Sequence, residues 1–177
     1  MLNSRDLKDL RADVRVNCEA FLAECKKSGL NVLVTQTLRD DEYQATLYKK
    51  GYAKTAKTSF HGKGLAFDIC KNIKGHEYDD AAFFTKCAAI GKKIGFSWGG
   101  DWKSFPDRPH FQWDDGGKVS SANVRANKLP RTMPAYNAGP DYRAQLQKRS
   151  GLADATMDYL AAYKYGDDLL RKLATMK

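Results

Sequence analysis

Two of the chain's three histidines stand where they could do chemistry. His61 opens the segment His61-Gly62-Lys63-Gly64-Leu65-Ala66-Phe67-Asp68, in which a Gly-bearing turn leads into an apolar run that ends on a carboxylate. His110 closes Asp107-Arg108-Pro109-His110 and is followed by Phe111-Gln112-Trp113. An aspartate set in an apolar run is costly to bury unless it is paired or bound to a metal. His61, Asp68 and His110 together offer three ligands to a tetrahedral Zn²⁺ and leave one position for water. Such an open site brings the water's pKa to about 7 and polarises a carbonyl. A base that is not itself a ligand is also needed, and Asp107 is the acid at hand. On an ideal strand, however, positions i and i+3 point to opposite faces. Pro109 removes a donor and biases Arg108 toward extended geometry, so a bend here would bring Asp107 and His110 to one cavity. Spacing alone leaves open that each histidine is an ordinary surface or hydrogen-bonded core residue.

The elements around these residues are short. Leu7, Leu10, Val14, Phe21 and Cys25 recur at helical spacing, which predicts a helix over residues 4–27 stopped by Gly29. The β-branched run at 31–37 predicts a buried strand. Asp40 is placed to cap a second helix ending at Gly51, and 52–63 reads as a loop. A short strand follows at 65–69, then a third helix over 79–93 with Phe83, Phe84, Cys87, Ile90 and Ile94 on or near one face. Strands at 96–98 and 110–113 flank a loop rich in Gly, Asp and Pro. Strands and helices mixed in this way predict an α+β fold. Residues 118–140 read as a Pro-bearing linker, and helices are expected near 141–149, 152–163 and from 167. The expected organisation is therefore a catalytic domain over 1–117, a linker over 118–140 and a basic helical segment over 141–177.

The 177 residues carry 30 Lys+Arg and 21 Asp+Glu, a net charge of +9, which points to an anionic partner. Residues 118–177 hold 11 of the basic and five of the acidic side chains, so +6 of the excess lies there and +3 before it. A nucleic-acid role has no basic helix or aromatic RNA-binding signature behind it. No stretch is apolar enough to span a bilayer. Residues 1–10 are polar and charged, with no apolar stretch suited to a signal peptide, so the expectation is that if the protein acts outside the cytosol something else lets it out. Cys18, Cys25, Cys70 and Cys87 form no CxxC pair and read as reduced, mostly buried thiols.

At the motif level the sequence closely resembles the VanY-like zinc D,D-/L,D-peptidase family. Ser59, His61 and Asp68 match Ser-x-His-x6-Asp. Gly99-Gly100-Asp101-Trp102, Asp107 and Pro109-His110-Phe111 match the second motif, and Arg39, Gln44, Leu47 and Tyr48 match an earlier one. The resemblance covers roughly residues 5–115. It implies a small antiparallel sheet flanked by helices around a zinc cleft, the hedgehog/DD-peptidase-like arrangement, with one Zn²⁺ held by His61, Asp68 and His110. It further implies Asp107 as the proton-transferring acid–base, Arg39 on the oxyanion or a substrate carboxylate, and Gln44 and Ser59 on the stem peptide. The Gly-Gly-Asp-Trp segment and the short acid at Asp107, where carboxypeptidase branches usually carry Glu, favour the branch that cleaves the L-alanyl–D-glutamate bond of peptidoglycan, as phage endolysins and bacterial autolysins do. A D-alanyl-D-alanine carboxypeptidase and a non-catalytic wall-binding module are the alternatives. Residues 158–173 loosely resemble one repeat of a small helical cell-wall-binding module, with a basic helical hairpin docked on the catalytic domain as the competing reading. The expected partners are peptidoglycan and, through the basic segment, anionic wall polymers; a monomer is expected.

Overall fold

The computed structural model describes residues 1–139, 142–162 and 166–176. Four short strands, β1 (Val32–Gln36), β2 (Ala66–Lys71), β3 (Ser97–Trp98) and β4 (His110–Gln112), form one antiparallel sheet in the order β1-β2-β4-β3. Alternation divides β2 and β4 cleanly: Phe67, Ile69 and Phe111 enter the core, while Asp68, His110 and Gln112 share the opposite face. The sheet's inner face is covered by α1 (Ala12–Lys27) and α3 (Ala81–Ile94). Phe21 lies 5.1 Å from Phe111, and Phe111 stacks on Phe67 at 5.5 Å. All three rings are fully buried, so truncating any one to Ala costs about 3–5 kcal/mol. All four cysteines are free and buried.

The chain divides into two compact units, Met1–Tyr136 and Asn137–Lys177. The first differs from expectation at both ends. The helix expected from residue 4 begins only at Ala12, after a 3-10 turn at Leu7–Asp9. Residues before that turn run extended, because Ser4 N–H donates to the Leu38 carbonyl and Thr37 N–H donates to the Ser4 carbonyl, extending the β1 edge. At the other end, 118–136 packs on the first unit where a linker was expected. Ser120 and Asn123 form a capping box for α4 (Ser121–Arg125). Val124 and Met133 join the core, the Met133 and Tyr136 N–H groups donate to Asp13 and Asn17 of α1, and Trp113 Nε1 donates to the Arg131 carbonyl. Prolines here mark an anchored strap whose backbone is satisfied by side chains, a pattern without apolar periodicity.

In the second unit, α5 (Tyr142–Ser150), α6 (Asp154–Ala162) and α7 (Gly166–Thr175) bury Leu146, Met157, Leu170 and Ala174 against one another. Arg149 donates to the last carbonyls of α7, including Met176 O at 2.7 Å, and Arg143 pairs with Asp158 at 2.6 Å. The Lys164-Tyr165 half of the wall-module-like element lies outside the described residues. The boundary at 137 also relocates the charge. Residues 118–136 contribute four basic and no acidic side chains, leaving seven basic and five acidic in the second unit, so +7 of the +9 belongs to the first.

Candidate active site

Antiparallel pairing sets Asp68 of β2 directly opposite His110 of β4. His61 reaches the same point from the 3-10 turn His61–Lys63, which ends on Gly64 in a left-handed conformation (φ 61°). A Cβ at Gly64 would sit 2.8 Å from the backbone at Asp9 and Arg11, so this turn requires glycine. Asp68 Oδ1 lies 3.2 Å from His61 Nε2 and 3.0 Å from His110 Nδ1, and the two ring nitrogens are 3.1 Å apart. Trp102 packs against the His110 ring at 5.0 Å.

The hydrogen bonds on the outer sides of the rings decide what the inner sides offer. His61 Nδ1 faces the Thr37 carbonyl at 2.8 Å, and a carbonyl only accepts, so Nδ1 carries the proton and Nε2 turns a lone pair inward. His110 Nε2 faces Gln112 Oε1 at 3.0 Å, so Nε2 carries the proton and Nδ1 turns a lone pair inward. In these tautomers two ring lone pairs and a carboxylate oxygen converge, the three ligand atoms all within 4.8 Å of one another. Such a set fits a cation, and two imidazoles with one carboxylate suit a borderline-soft divalent ion with an open coordination position. The outer partners are what a ligating histidine needs to fix its orientation.

Electrostatics agree with a concentrated site. Burial would raise Asp68, but the two imidazoles overcome it and hold the carboxyl well below its ordinary value. Burial lowers His61 against the pull of Asp68. At His110 burial acts the same way, yet the adjacent Asp68 carboxylate outweighs it and the ring is raised. Burial pushes the Asp107 carboxyl up, with Asp68 adding to the effect and His110 and Arg39 opposing it.

The structure removes the face problem at Asp107 by starting β4 at His110. Residues 107–110 form a turn closed by His110 N–H on the Asp107 carbonyl at 3.2 Å. Asp107 N–H donates to the Gly99 carbonyl at 2.9 Å, and Trp98 Nε1 donates to the Arg108 carbonyl at 2.7 Å. The turn lies so close to the Gly99–Asp101 segment that a Cβ on Gly99 would fall 2.5 Å from the Asp107 carbonyl oxygen. Beyond Asp107 opens a cavity of about 370 Å³ walled by Tyr78, Phe84, Pro106, Arg108 and Pro109.

Arg39 lies on the other side of Asp68, its Nη1 4.0 Å from Asp68 Oδ2. Its guanidinium donates to Gln36 and, at 2.6 Å, to Gln44 Oε1, and burial lowers its pKa. Gln44, at the buried side of α2 (Asp41–Lys49), also accepts from Ser59 Oγ at 3.2 Å and donates to the Thr55 carbonyl at 2.7 Å. With 2% of its surface exposed, Gln44 spends its polar atoms on the protein. His76 is exposed and paired with Asp79, away from this cluster, and Cys70 is not among the clustered ligands. Sequence reading missed Gln36, Gln112, Asp114 and the Thr37 carbonyl. Gln112 was detectable as the residue two along from His110, hence on its face. A backbone carbonyl leaves no such signal.

A family model described as D-alanyl-D-alanine carboxypeptidase matches residues 53–113, the stretch holding His61, Asp68, Asp107 and His110. The peptidoglycan L-alanyl-D-glutamate endopeptidase CwlK of Bacillus subtilis (strain 168) is 33% identical over 122 residues, covering 59% of this chain and 73% of the relative. The chain belongs to the VanY-like D,D-/L,D-peptidase family. Another member of this peptidase family, the L-alanyl-D-glutamate peptidase of Listeria phage A118, is 36% identical over 113 residues, 62% of this chain and 40% of that protein. The fold of this chain is similar to that of the L-Ala D-Glu endopeptidase ChiX of Serratia marcescens, matched at a TM-score of 0.53 and 22% identity over 67% of this chain and 93% of that one. Members of the VanY-like family are metallopeptidases, in keeping with the acceptor cluster at His61, Asp68 and His110.

Proposed function

We propose that this protein is a zinc-dependent endopeptidase that hydrolyses the L-alanyl–D-glutamate bond of peptidoglycan stem peptides. The observation that carries the reading is the convergence of two imidazoles and a carboxylate beside a buried, raised carboxyl, in a chain 33% identical over 122 residues to a named endopeptidase of that bond. His61 Nε2, Asp68 and His110 Nδ1 hold one Zn²⁺. When bound, the ion supplies Lewis-acid polarisation of the scissile carbonyl and acidifies the attacking water. Asp107 takes the proton from that water and delivers it to the leaving amine of D-glutamate. Its raised affinity for a proton makes it a stronger base toward the water than an exposed aspartate and keeps the proton on it until the amine leaves.

Arg39 binds the oxyanion with a fork already aimed by Gln36 and Gln44, so little ordering is required during the reaction. Gln44, its polar atoms spent on Arg39, Ser59 and Thr55, acts on the stem peptide by aiming Arg39 and not by direct hydrogen bonds. Ser59, whose hydroxyl donates to Gln44, keeps its lone pairs for the peptide. The cavity bordered by Asp107 receives the D-glutamate end of the peptide in this reading. The unit over 1–136 carries most of the positive charge and draws the enzyme to anionic wall polymer, with the helical unit over 137–177 as an auxiliary wall contact. The protein reaches its substrate after release from the host cytoplasm.

Activity on a defined muropeptide tests this reading. Chelation abolishes cleavage, Zn²⁺ restores it, and Asp107→Ala stays inactive at every zinc concentration. Cleavage that survives exhaustive chelation would exclude the metal mechanism.

A further inference from the structure

We propose that Asp114 selects the ring tautomer in which His110 can be a metal ligand, acting through the side-chain amide of Gln112. The two residues form a buried relay on the same face of the sheet as His110, with 6% and 7% of their surfaces exposed. Asp114 Oδ1 accepts from Ser97 Oγ at 2.7 Å and from the Gly117 N–H at 2.8 Å. Its Oδ2 accepts from Gln112 Nε2 at 2.9 Å, and Gln112 Oε1 faces His110 Nε2 at 3.0 Å.

Each contact dictates the next. A carboxylate only accepts, so it holds the NH₂ end of the Gln112 amide toward itself and the oxygen toward the ring. The amide oxygen only accepts, so His110 carries its proton on Nε2 and keeps Nδ1 free. The competing arrangement is specific. With the amide reversed, its NH₂ would face Nε2, the ring proton would move to Nδ1, and that N–H would point at Asp68 Oδ1, 3.0 Å away. An Nδ1–H···Asp68 pair would block two of the three ligand atoms. Asp114 is thus a positioning residue for the metal centre.

The inference rests on the metal assignment above, but the tautomer can be read without metal, so the two fail separately. Asp114→Asn is the nearly isosteric test. The Gly117 N–H can only donate, which keeps the remaining oxygen at the Oδ1 position and turns the new NH₂ toward Gln112. The Gln112 amide must then reverse. In the full-length protein, ¹H–¹⁵N long-range spectra of the metal-free form show His110 moving from the Nε2–H to the Nδ1–H tautomer. Zn²⁺ affinity, measured by competition with a chromophoric chelator, falls about 10–100-fold. Adding Gln112→Glu to Asp114→Asn restores an acceptor toward the ring and a partner for the new amide, and recovers both the tautomer and most of the affinity. A purely structural role for Asp114 predicts no such rescue. Gln112→Met leaves the Ser97 and Gly117 contacts in place and gives an independent readout if Asp114→Asn fails to fold: a mixed tautomer and weakened zinc binding. An Nε2–H tautomer and unchanged zinc affinity in the folded variants would overturn the proposal.

Discussion

Gly99→Ala probes how tightly Asp107, the proposed base, is positioned. The new Cβ would lie 2.5 Å from the Asp107 carbonyl oxygen, 3.2 Å from Asp107 Cβ and 3.0 Å from His110 Cβ. The nearest of these is backbone, so no side-chain rotation relieves it. Moving that contact from 2.5 Å to an ordinary 3.4 Å displaces the turn by about 0.9 Å. His110 is held by its pairing with Asp68 and its bond to Gln112, whereas Asp107 sits in the turn itself, so the displacement falls mainly on Asp107. A misplacement of about 1 Å costs roughly 100-fold in rate, while overpacking of this kind costs about 1–3 kcal/mol in stability. Three measurements separate the effects: kcat/KM on a defined muropeptide, zinc content of the purified protein, and the urea midpoint. The expected result is a loss of about two orders of magnitude in kcat/KM with zinc retained and the chain folded. Wild-type kcat/KM in a folded, zinc-loaded Gly99→Ala protein would refute the claim that this close approach positions the base.

Asp13→Asn weakens the anchor between α1 and the strap, where Asp13 accepts from Arg11 and the Met133 N–H, and lowers unfolding free energy by about 1–3 kcal/mol in urea titrations. Burial would raise Asp13, but Arg11 and the Met133 N–H hold it below its ordinary 3.8; its stabilisation is therefore complete above that value and is lost as pH falls through the lower folded-state pKa, so the wild-type advantage over Asp13→Asn shrinks in acid. Arg39→Lys keeps the charge but cannot hold both Gln36 and Gln44, and kcat falls about 10²–10³-fold with zinc content unchanged. His61→Ala removes a ligand and loses zinc while circular dichroism stays native-like; stoichiometric zinc in that variant would contradict the ligand assignment.

What was legible in the sequence follows from the range of the interactions involved. Asp40 caps α2 through its own next turn, so local pattern sufficed there, whereas α3 begins at Ala81 behind its cap Asp80, two residues later than expected. His61, Asp68 and His110 were visible as types at motif spacing, but the tautomers that would suit them to a cation depend on Thr37 and Gln112, partners set by tertiary structure. The strap over 118–136 was hidden for the same reason. Its polar backbone groups are satisfied by Arg11, Asp13 and Asn17, more than a hundred residues earlier, so nothing in the segment's own periodicity distinguishes it from a linker. The boundary at 137 also moves the positive charge, since Lys118, Arg125, Lys128 and Arg131 belong to the unit that holds His61, Asp68 and His110.

Mass spectrometry of the products from purified murein, after tagging of newly exposed amines, tests the central claim most directly. The account predicts a new N-terminal D-glutamate in wild-type digests and none with Asp107→Ala. Free D-alanine released without any new glutamate amine would contradict it.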